Sequence, residues 1–487
     1  MDKVTDGNDG IGSDLRMSPE QMLSLARQTA ELVVQRIENL PGQGAWAGEF
    51  RRDLEDQLMK PPPEESRSAS QVIDEAAQEI LPAALSLDHP RCFGFIPSQP
   101  TWPGVLADFM VAGFNINQSS WLISSGPSQL ELVVVDWFRC WIGYPENAGG
   151  VLTSGGSAAN LDGLVAAREA AGNPERGTLY MSDQGHSALI KAARIIGLRP
   201  ECIRMIPTDG RFRMDMDALA EKVAEDRAAG FSPIAVCANA GTSSCGAVDP
   251  LEAMADYCEA QEIWLHVDAA HGGFAIVTEE GRNIMRGIER ADSIVLDAHK
   301  WFFQPYEVGG LMVKDLSTLE RVFVGKCDIL QDTIWGAGHP NFSDRGLQLS
   351  RSVRALKIWM SVQTFGMTAF RNAQLHGMDL AHRIGGYVEE STVLEMLAPV
   401  ALGIACFRVN PENADLDKYQ LETINKTVLA RVFWEDHAFI SSTRLDGMLA
   451  LRMCVINYST TWNEVRETLE NISKFGMESL IQDESSD

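Results

Sequence analysis

The 487-residue chain lacks the features that mark several classes of protein. It contains no uncharged apolar run of about 18 residues, so no membrane-spanning helix is expected. Its N-terminus, MDKVTDGNDGIGSD, has no apolar core of the kind found in signal peptides. The nine cysteines include no CxxC pair, which argues against a disulfide framework and a zinc site and favours a reducing, cytoplasmic location. No metal ligand set is predicted.

Positive charge is also scarce. The chain has 41 lysines and arginines against 67 aspartates and glutamates, a formal net charge of −26. Nucleic acids and anionic membranes both require a basic surface, so neither is expected as a partner. The ordinary interpretation of such acidity is solubility. The two commonest phosphate-binding patterns, GxGxxG and the P-loop with its lysine, are missing as well.

Seven short apolar runs, alternating with amphipathic segments, occupy the middle of the chain. Such alternation predicts a seven-stranded, mostly parallel sheet covered by helices on both faces, an α/β fold. Ligands of such sheets bind at the carboxyl ends of the strands. The runs cover residues 150–153, 178–182, 202–207, 233–239, 263–270, 293–298 and 309–314.

The flanking regions have a different character. Residues 18–60 look helical, and the end of the chain mixes strand-like pieces with helices. We therefore predict an N-terminal helical segment over 1–85, a large ligand-binding domain over 86–375 and a small α+β domain over 376–487.

The first run ends in LTSGGSAANLDGL, where Gly155 and Gly156 precede Ser157 and a helix. Glycine backbone, a hydroxyl group and a helix N-terminus together suit a phosphate group. A plain glycine turn with a serine cap would look similar, and both interpretations stand at this point.

Further chemical groups follow the later runs. His186 comes after the second run, where a histidine is often a cap or a core residue, and Thr242 follows the fourth. Asp268 ends the apolar fifth run, and a buried carboxylate needs a partner. Small Ala270 follows it. After the sixth run come Asp297, His299 and Lys300.

Pyridoxal 5'-phosphate (PLP) requires this combination of groups. Its phosphate needs the cradle, its ring needs a flat neighbour and a small one, and its ring nitrogen needs a carboxylate. Its aldehyde needs a lysine amine, here Lys300. The aromatic residues 301–303 are expected to shield that amine from water.

The motifs HVDAAHGGF and LDAHKWFFQPYEVGG resemble those of the group II PLP-dependent decarboxylases, the family of aromatic L-amino acid decarboxylase. HPRCFGFIPSQPTWPGVLAD, LTSGGSAANL and RSVRALKIWMSVQTFG are similar too. The resemblance implies a fold-type I, aspartate-aminotransferase-like enzyme. It also implies a homodimer in which N-terminal helices wrap the partner and the active site lies at the subunit interface.

The resemblance further implies roles for individual residues. Lys300 would form the Schiff base, Asp268 would bind the ring nitrogen, and His186 and Ala270 would flank the ring. The remaining cofactor contacts would come from Gly155, Gly156, Ser157, Thr242, Asp297 and His299. The substrate contacts would come from Ser98, Trp102, Asn117 and Ser119.

One position departs from the family. Its catalytic loop usually carries a tyrosine that protonates the substrate carbon, and Phe342 stands at the matching position in GHPNFSDRG. The expected reaction is decarboxylation of an aromatic or related L-amino acid to an amine and CO2. Within the family such a replacement is associated with aldehyde formation by oxidative deamination, which is the alternative. His339 could instead donate the proton, as could His186 or water. A scaffold without activity and a transaminase are disfavoured by the lysine and aspartate motifs.

Overall fold

The computed structural model describes residues 15–325 and 338–484, which form two compact units divided between His89 and Pro90. The first unit contains helices α1 (Pro19–Asn39), α2 (Arg51–Leu58) and α3 (Ala69–Glu75), the last extended by a π-helical turn over Ala76–Ile80. Ser18 and Gln21 form a capping box that starts α1. The helix ends before Pro41 and Gly42, so the helical region predicted over 18–60 is split into two helices.

The second unit is built on a seven-stranded sheet. Its order is β1-β7-β6-β5-β4-β2-β3, and only β7 runs antiparallel to its neighbours, β1 and β6. Every predicted run forms one of these strands, so the predicted sheet is confirmed. The strands are β1 (Gly149–Thr153), β2 (Gly177–Ser182), β3 (Ile203–Ile206), β4 (Ser232–Asn239), β5 (Trp264–Asp268), β6 (Ser293–Leu296) and β7 (Gly309–Val313).

Helices cover this sheet, and most of its residues are buried. Helix α6 begins directly after β1 and packs across β5, β6 and β7, which places its N-terminus at the carboxyl edge of the sheet. The helices of this unit are α4 (Trp102–Phe114), α5 (Trp121–Ile142), α6 (Gly156–Ala170), α7 (Ser187–Ile195), α8 (Met216–Ala228), α9 (Leu251–Gln261), α10 (Glu279–Ile284), α11 (Ser317–Phe323), α12 (Ala355–Glu389), α13 (Lys418–Glu435) and α14 (Trp462–Glu484).

A second, antiparallel sheet lies near the C-terminus. Its order is β10-β11-β9-β8, and α13 packs against β9 and β11. This confirms the mixture of strands and helices predicted for this part of the chain. Its contacts join it to the large sheet in one compact unit, so the three-domain division stays a prediction. The strands are β8 (Leu394–Met396), β9 (Ile404–Val409), β10 (Ser441–Leu445) and β11 (Met448–Cys454).

Within residues 15–325 and 338–484, no helix combines the length and apolar character that crossing a bilayer requires. The same residues contain no group of three histidine, cysteine or acidic side chains placed to hold a metal ion.

Candidate active site

A cavity of about 450 Å³ opens where the carboxyl ends of β1, β2, β4, β5 and β6 meet. The ten residues predicted to bind the cofactor share one property, which is that all of them line this cavity. They are Gly155, Gly156, Ser157, His186, Thr242, Asp268, Ala270, Asp297, His299 and Lys300.

The glycine turn after β1 leaves room at the start of α6. Gly155 has φ +150°, which side chains rarely adopt, and a Cβ atom there would lie 3.1 Å from Cε1 of His299. A Cβ atom on Gly156 would lie 2.9 Å from the Asp297 carboxylate. The backbone can therefore approach a ligand closely, beside the N-terminus of a 15-residue helix that favours anions.

The turn after β6 carries the lysine. Lys300 Nζ lies 3.2 Å from Oδ2 of Asp297, whose Oδ1 is buried and has no hydrogen-bond partner in the described part of the chain. Nδ1 of His299 lies 2.9 Å from the Val308 carbonyl oxygen and 3.3 Å from the Val308 backbone nitrogen, so the ring is held against this residue. Burial lowers the pKa of His299, which keeps the ring neutral near pH 7. The Lys300 amine thus lies beside a buried carboxylate.

Asp268 closes β5 with its carboxylate held from two sides. Oδ1 accepts a hydrogen bond from the backbone N–H of Ala270 at 3.1 Å, and Oδ2 accepts one from Nδ2 of Asn160 at 3.0 Å. Each oxygen keeps a free lone pair, which can accept a proton-bearing ring nitrogen.

His186 is both a helix cap and part of the cavity lining. It is the N-cap of α7, and its Nδ1 accepts a hydrogen bond from the backbone N–H of Ala188 at 3.2 Å. The neutral ring therefore carries its proton on Nε2. The same imidazole lines the cavity, so capping positions a flat ring at the site.

The aromatic residues after the lysine do not shield it as expected. Trp301, Phe302 and Phe303 are buried in the main hydrophobic core, and none of them lines the cavity. Trp301 stacks on His271, with ring centres 5.6 Å apart. These side chains anchor the lysine-bearing turn to the core.

Sequence reasoning missed several residues that line the cavity, among them Asn160, Asn239, Ser243 and Tyr306. The Tyr306 ring lies 4.6 Å from the ring of His299. Asn160 stands in the quoted SGGSAANL motif, one turn into α6, where the helical period could have revealed it. Tyr306 follows a loop after Lys300, and no periodic pattern signals such a position.

The predicted substrate residues lie elsewhere. Ser98, Trp102, Asn117 and Ser119 do not line this cavity. Oδ1 of Asn117 accepts a hydrogen bond from the backbone N–H of Arg351 at 3.2 Å. Their contact with substrate stays a prediction.

His339 and Phe342, the two residues predicted to act from the catalytic loop, also lie away from the cavity lining. Exposed His339 stacks on Trp121, with ring centres 4.6 Å apart. The backbone N–H of Ser343 donates to the Ser119 carbonyl oxygen at 3.0 Å, which ties the chain after His339 to the start of α5. Proton donation by His339 stays a prediction.

Phe342 is fully buried in a hydrophobic cluster beside α6 and α11. The guanidinium carbons of Arg345 and Arg351 lie 5.2 and 5.0 Å from its ring centre, within reach of cation–π attraction. Arg351 is itself paired with buried Glu131 at 2.7 Å. This placement corrects the expectation that Phe342 faces the substrate from a loop, because its side chain packs in the interior of its own chain.

The cavity fits PLP on three grounds. The amides at Gly155 and Gly156, with the Ser157 hydroxyl, can hold a phosphate group. The half-satisfied carboxylate of Asp268 can hold a protonated ring nitrogen, and Lys300 can bond to an aldehyde. A mostly parallel α/β sheet with these groups at its carboxyl edge defines a fold-type I PLP-dependent enzyme.

Residues 52–410 match the pyridoxal-dependent decarboxylase conserved domain, and the chain belongs to this family of PLP-dependent decarboxylases. It is 34% identical over 475 residues to the aromatic-L-amino-acid decarboxylase of Bacillus atrophaeus, covering 97% of this chain and 98% of that protein. It is 32% identical over 427 residues to the phenylacetaldehyde synthase of Arabidopsis thaliana, covering 85% and 87%.

Solved structures agree with this family. The Oryza sativa TDC crystallised with PLP and tryptamine matches with a TM-score of 0.91 and 26% identity, covering 95% of this chain and 99% of that chain. The predicted fold type, cofactor and decarboxylase family are thereby confirmed.

Proposed function

We propose that this PLP-dependent decarboxylase converts an aromatic L-amino acid to its amine and CO2. The observation that carries the proposal is the convergence of Lys300, Asp268 and the glycine cradle in one cavity. The aromatic substrate class is supported by relatives named for it, such as the Bacillus atrophaeus enzyme and a tyrosine decarboxylase of Arabidopsis thaliana at 33% identity.

Each group in the cavity has a part in this proposal. The Lys300 amine holds the aldehyde carbon, and the amides of Gly155 and Gly156 hold the phosphate. Asp268 keeps the ring nitrogen protonated, and His186 covers one face of the ring. Bound there, PLP supplies a ring that accepts the electron pair left on the substrate carbon when CO2 departs.

The second candidate product is an aldehyde. Its support is the 32% identity with the phenylacetaldehyde synthase of Arabidopsis thaliana. Phe342 no longer supports it, because the side chain is buried in the core. Incubation with tyrosine, phenylalanine and tryptophan, with and without O2, separates the two products. We expect amine and CO2 in equal amounts without O2 uptake. Ammonia and peroxide formed in step with CO2 would establish the aldehyde instead.

We further propose that two copies of the chain form the enzyme, with the site at their interface. An exposed apolar surface on α4 and the start of α5 supports this, because monomers rarely leave so many large apolar side chains in water. Its members are Leu106, Phe109, Met110, Phe114, Leu122 and Ile123.

The dimer can be tested at this surface. We expect Phe109→Glu combined with Phe114→Glu to give monomers by light scattering, whereas Tyr419→Glu, at an exposed aromatic residue of α13, keeps the dimer. A monomeric wild-type enzyme with full activity would refute the proposal.

The eight free cysteines in the described part of the chain support a reducing, cytoplasmic location.

A further inference from the structure

A chain of buried hydrogen bonds runs behind Asp268. Nε1 of Trp264 lies 2.7 Å from Oγ of Ser293, which lies 2.7 Å from Nδ1 of His266. Nε2 of His266 lies 2.8 Å from Oδ1 of Asn160, and Nδ2 of Asn160 donates to Asp268 at 3.0 Å. Four bonds thus join the first residue of β5 to its last.

Strand geometry explains how these groups meet. Trp264, His266 and Asp268 alternate along β5, so their side chains share one face of the sheet. Helix α6 crosses that face and supplies Asn160. A Cβ atom on Gly163 would lie 2.7 Å from Cε1 of His266, so a glycine one turn after Asn160 makes room for the ring.

The donor and the acceptor of every hydrogen bond in this chain follow from the groups at its two ends, the Trp264 indole and the Asp268 carboxylate. An indole N–H can only donate, and an ionised carboxylate can only accept. Asn160 therefore turns its amide nitrogen to Asp268 and its oxygen to His266, which must carry a proton on Nε2. Nδ1 of His266 then accepts from the Ser293 hydroxyl, and Ser293 accepts from Trp264. Each donor meets one acceptor.

Burial keeps the middle of this chain neutral. His266 is fully buried, and desolvation lowers its pKa to about 4, although the nearby Asp268 charge opposes the shift. A neutral ring has one donor and one acceptor, and both are used. Hydrogen bonds aligned head to tail polarise one another, which strengthens the last of them, from Asn160 to the Asp268 carboxylate.

We propose that Trp264, Ser293, His266 and Asn160 form a positioning relay that fixes the orientation of Asp268 toward the cofactor's ring nitrogen. The relay rests on the role proposed above for Asp268. Its members touch neither substrate nor cofactor in this proposal, apart from Asn160, whose side chain also reaches the cavity lining.

The proton positions are tested first, in the full-length protein without cofactor. Nitrogen NMR of histidine-labelled protein is expected to show His266 as a neutral ring protonated on Nε2, with the signal assigned by its loss in His266→Gln. A ring protonated on Nδ1, or on both nitrogens at pH 7, would overturn the relay. This result does not depend on what Asp268 does in catalysis.

The functional effect is tested with Ser293→Ala, which removes only one hydroxyl from the relay. We expect PLP to bind about 2- to 10-fold more weakly and kcat to fall about as much, the scale of one hydrogen bond, with KM for the amino acid unchanged. The visible absorbance band of the bound cofactor should shift. Asn160→Asp, which replaces the final donor with an acceptor, should have a larger effect on all three.

Asn425→Asp is the matched control, because Asn425 is a buried asparagine of α13 whose side chain forms hydrogen bonds with the backbone of Val409. This variant should change the urea concentration at the midpoint of unfolding and leave the visible absorbance band of the bound cofactor unchanged. If Ser293→Ala and Asn160→Asp behave like this control, the relay is only structural and the proposal fails. If Asp268→Asn keeps full kcat, the role of Asp268 fails separately.

Discussion

Two regions of the molecule differ in whether their predicted residues line the cavity. One is the carboxyl edge of the large sheet, and the other is the segment over residues 338–354. At the sheet edge, ten predicted residues from five strand ends line one cavity. In the segment, exposed His339 stacks on Trp121 and Phe342 lies in the core. Residues that directly follow a strand are placed by that strand, whereas residues on a long connection are placed by whatever the connection packs against.

The largest expected effect tests the sheet edge. Asp268→Asn keeps the shape of the side chain and removes the charge that we propose holds the ring nitrogen protonated. We expect kcat to fall by about 100- to 1,000-fold, a typical loss for an electrostatic contact in an active site. Asp292→Asn is the control, because Asp292 accepts a hydrogen bond from Leu265 at the opposite end of β5. Similar steady-state rates for the two variants would contradict the assignment.

The next prediction tests whether Trp102, on α4, contributes to substrate binding in the cavity of the partner subunit. Trp102→Ala should raise KM by about 10-fold, and Lys300→Ala should be inactive. In a mixed dimer of the two variants, one cavity combines an intact Lys300 with an intact Trp102 from the other chain. Doubly tagged mixed dimers should therefore recover the wild-type KM with about half of the wild-type kcat. A KM equal to that of Trp102→Ala would mean that Trp102 serves its own chain.

A third prediction concerns the core position in the segment. Phe342→Tyr places a hydroxyl group in a fully buried apolar cluster. We expect the free energy of unfolding to fall by about 1–3 kcal/mol, with the ratio of amine to aldehyde unchanged. Urea titration and product analysis measure both quantities. A changed product ratio at unchanged stability would show that the side chain faces the substrate after all.

The smallest effect concerns the contact between the two regions. Asp162 on α6 accepts a hydrogen bond from the backbone of Leu347, and burial raises the pKa of Asp162 to about 7. The folded state then binds a proton that the unfolded state releases near pH 4, so stability present below that pH is lost as the pH rises through 7. Asp162→Asn mimics the protonated form.

Between pH 6 and 8, the wild type should lose about 1–2 kcal/mol more unfolding free energy than Asp162→Asn. Other buried acids titrate equally in both proteins, so the difference in urea titrations at the two pH values isolates Asp162. Parallel pH profiles would mean that Asp162 is ionised in the folded protein throughout this range.

Much of the fold could be predicted because apolar runs and amphipathic helices repeat with simple periods. The cavity could be predicted because Gly155, Asp268 and Lys300 each stand at the end of a predicted strand. The place of Phe342 could not, because its burial depends on Arg345, Arg351 and a helix far away in the chain. The relay behind Asp268 could not be predicted from the sequence either, because its hydrogen bonds join the side chains of three separate segments.

The attachment of PLP to Lys300, in the cavity at the sheet edge, can be tested directly. Borohydride reduction of the cofactor-loaded enzyme fixes the cofactor to the lysine that carries it, and peptide mass spectrometry identifies that lysine. We expect the pyridoxyl group on the peptide that contains LDAHKWFF, at Lys300, and no labelling in Lys300→Ala. Labelling at any other lysine, or the same labelling in Lys300→Ala, would show that Lys300 does not hold the cofactor.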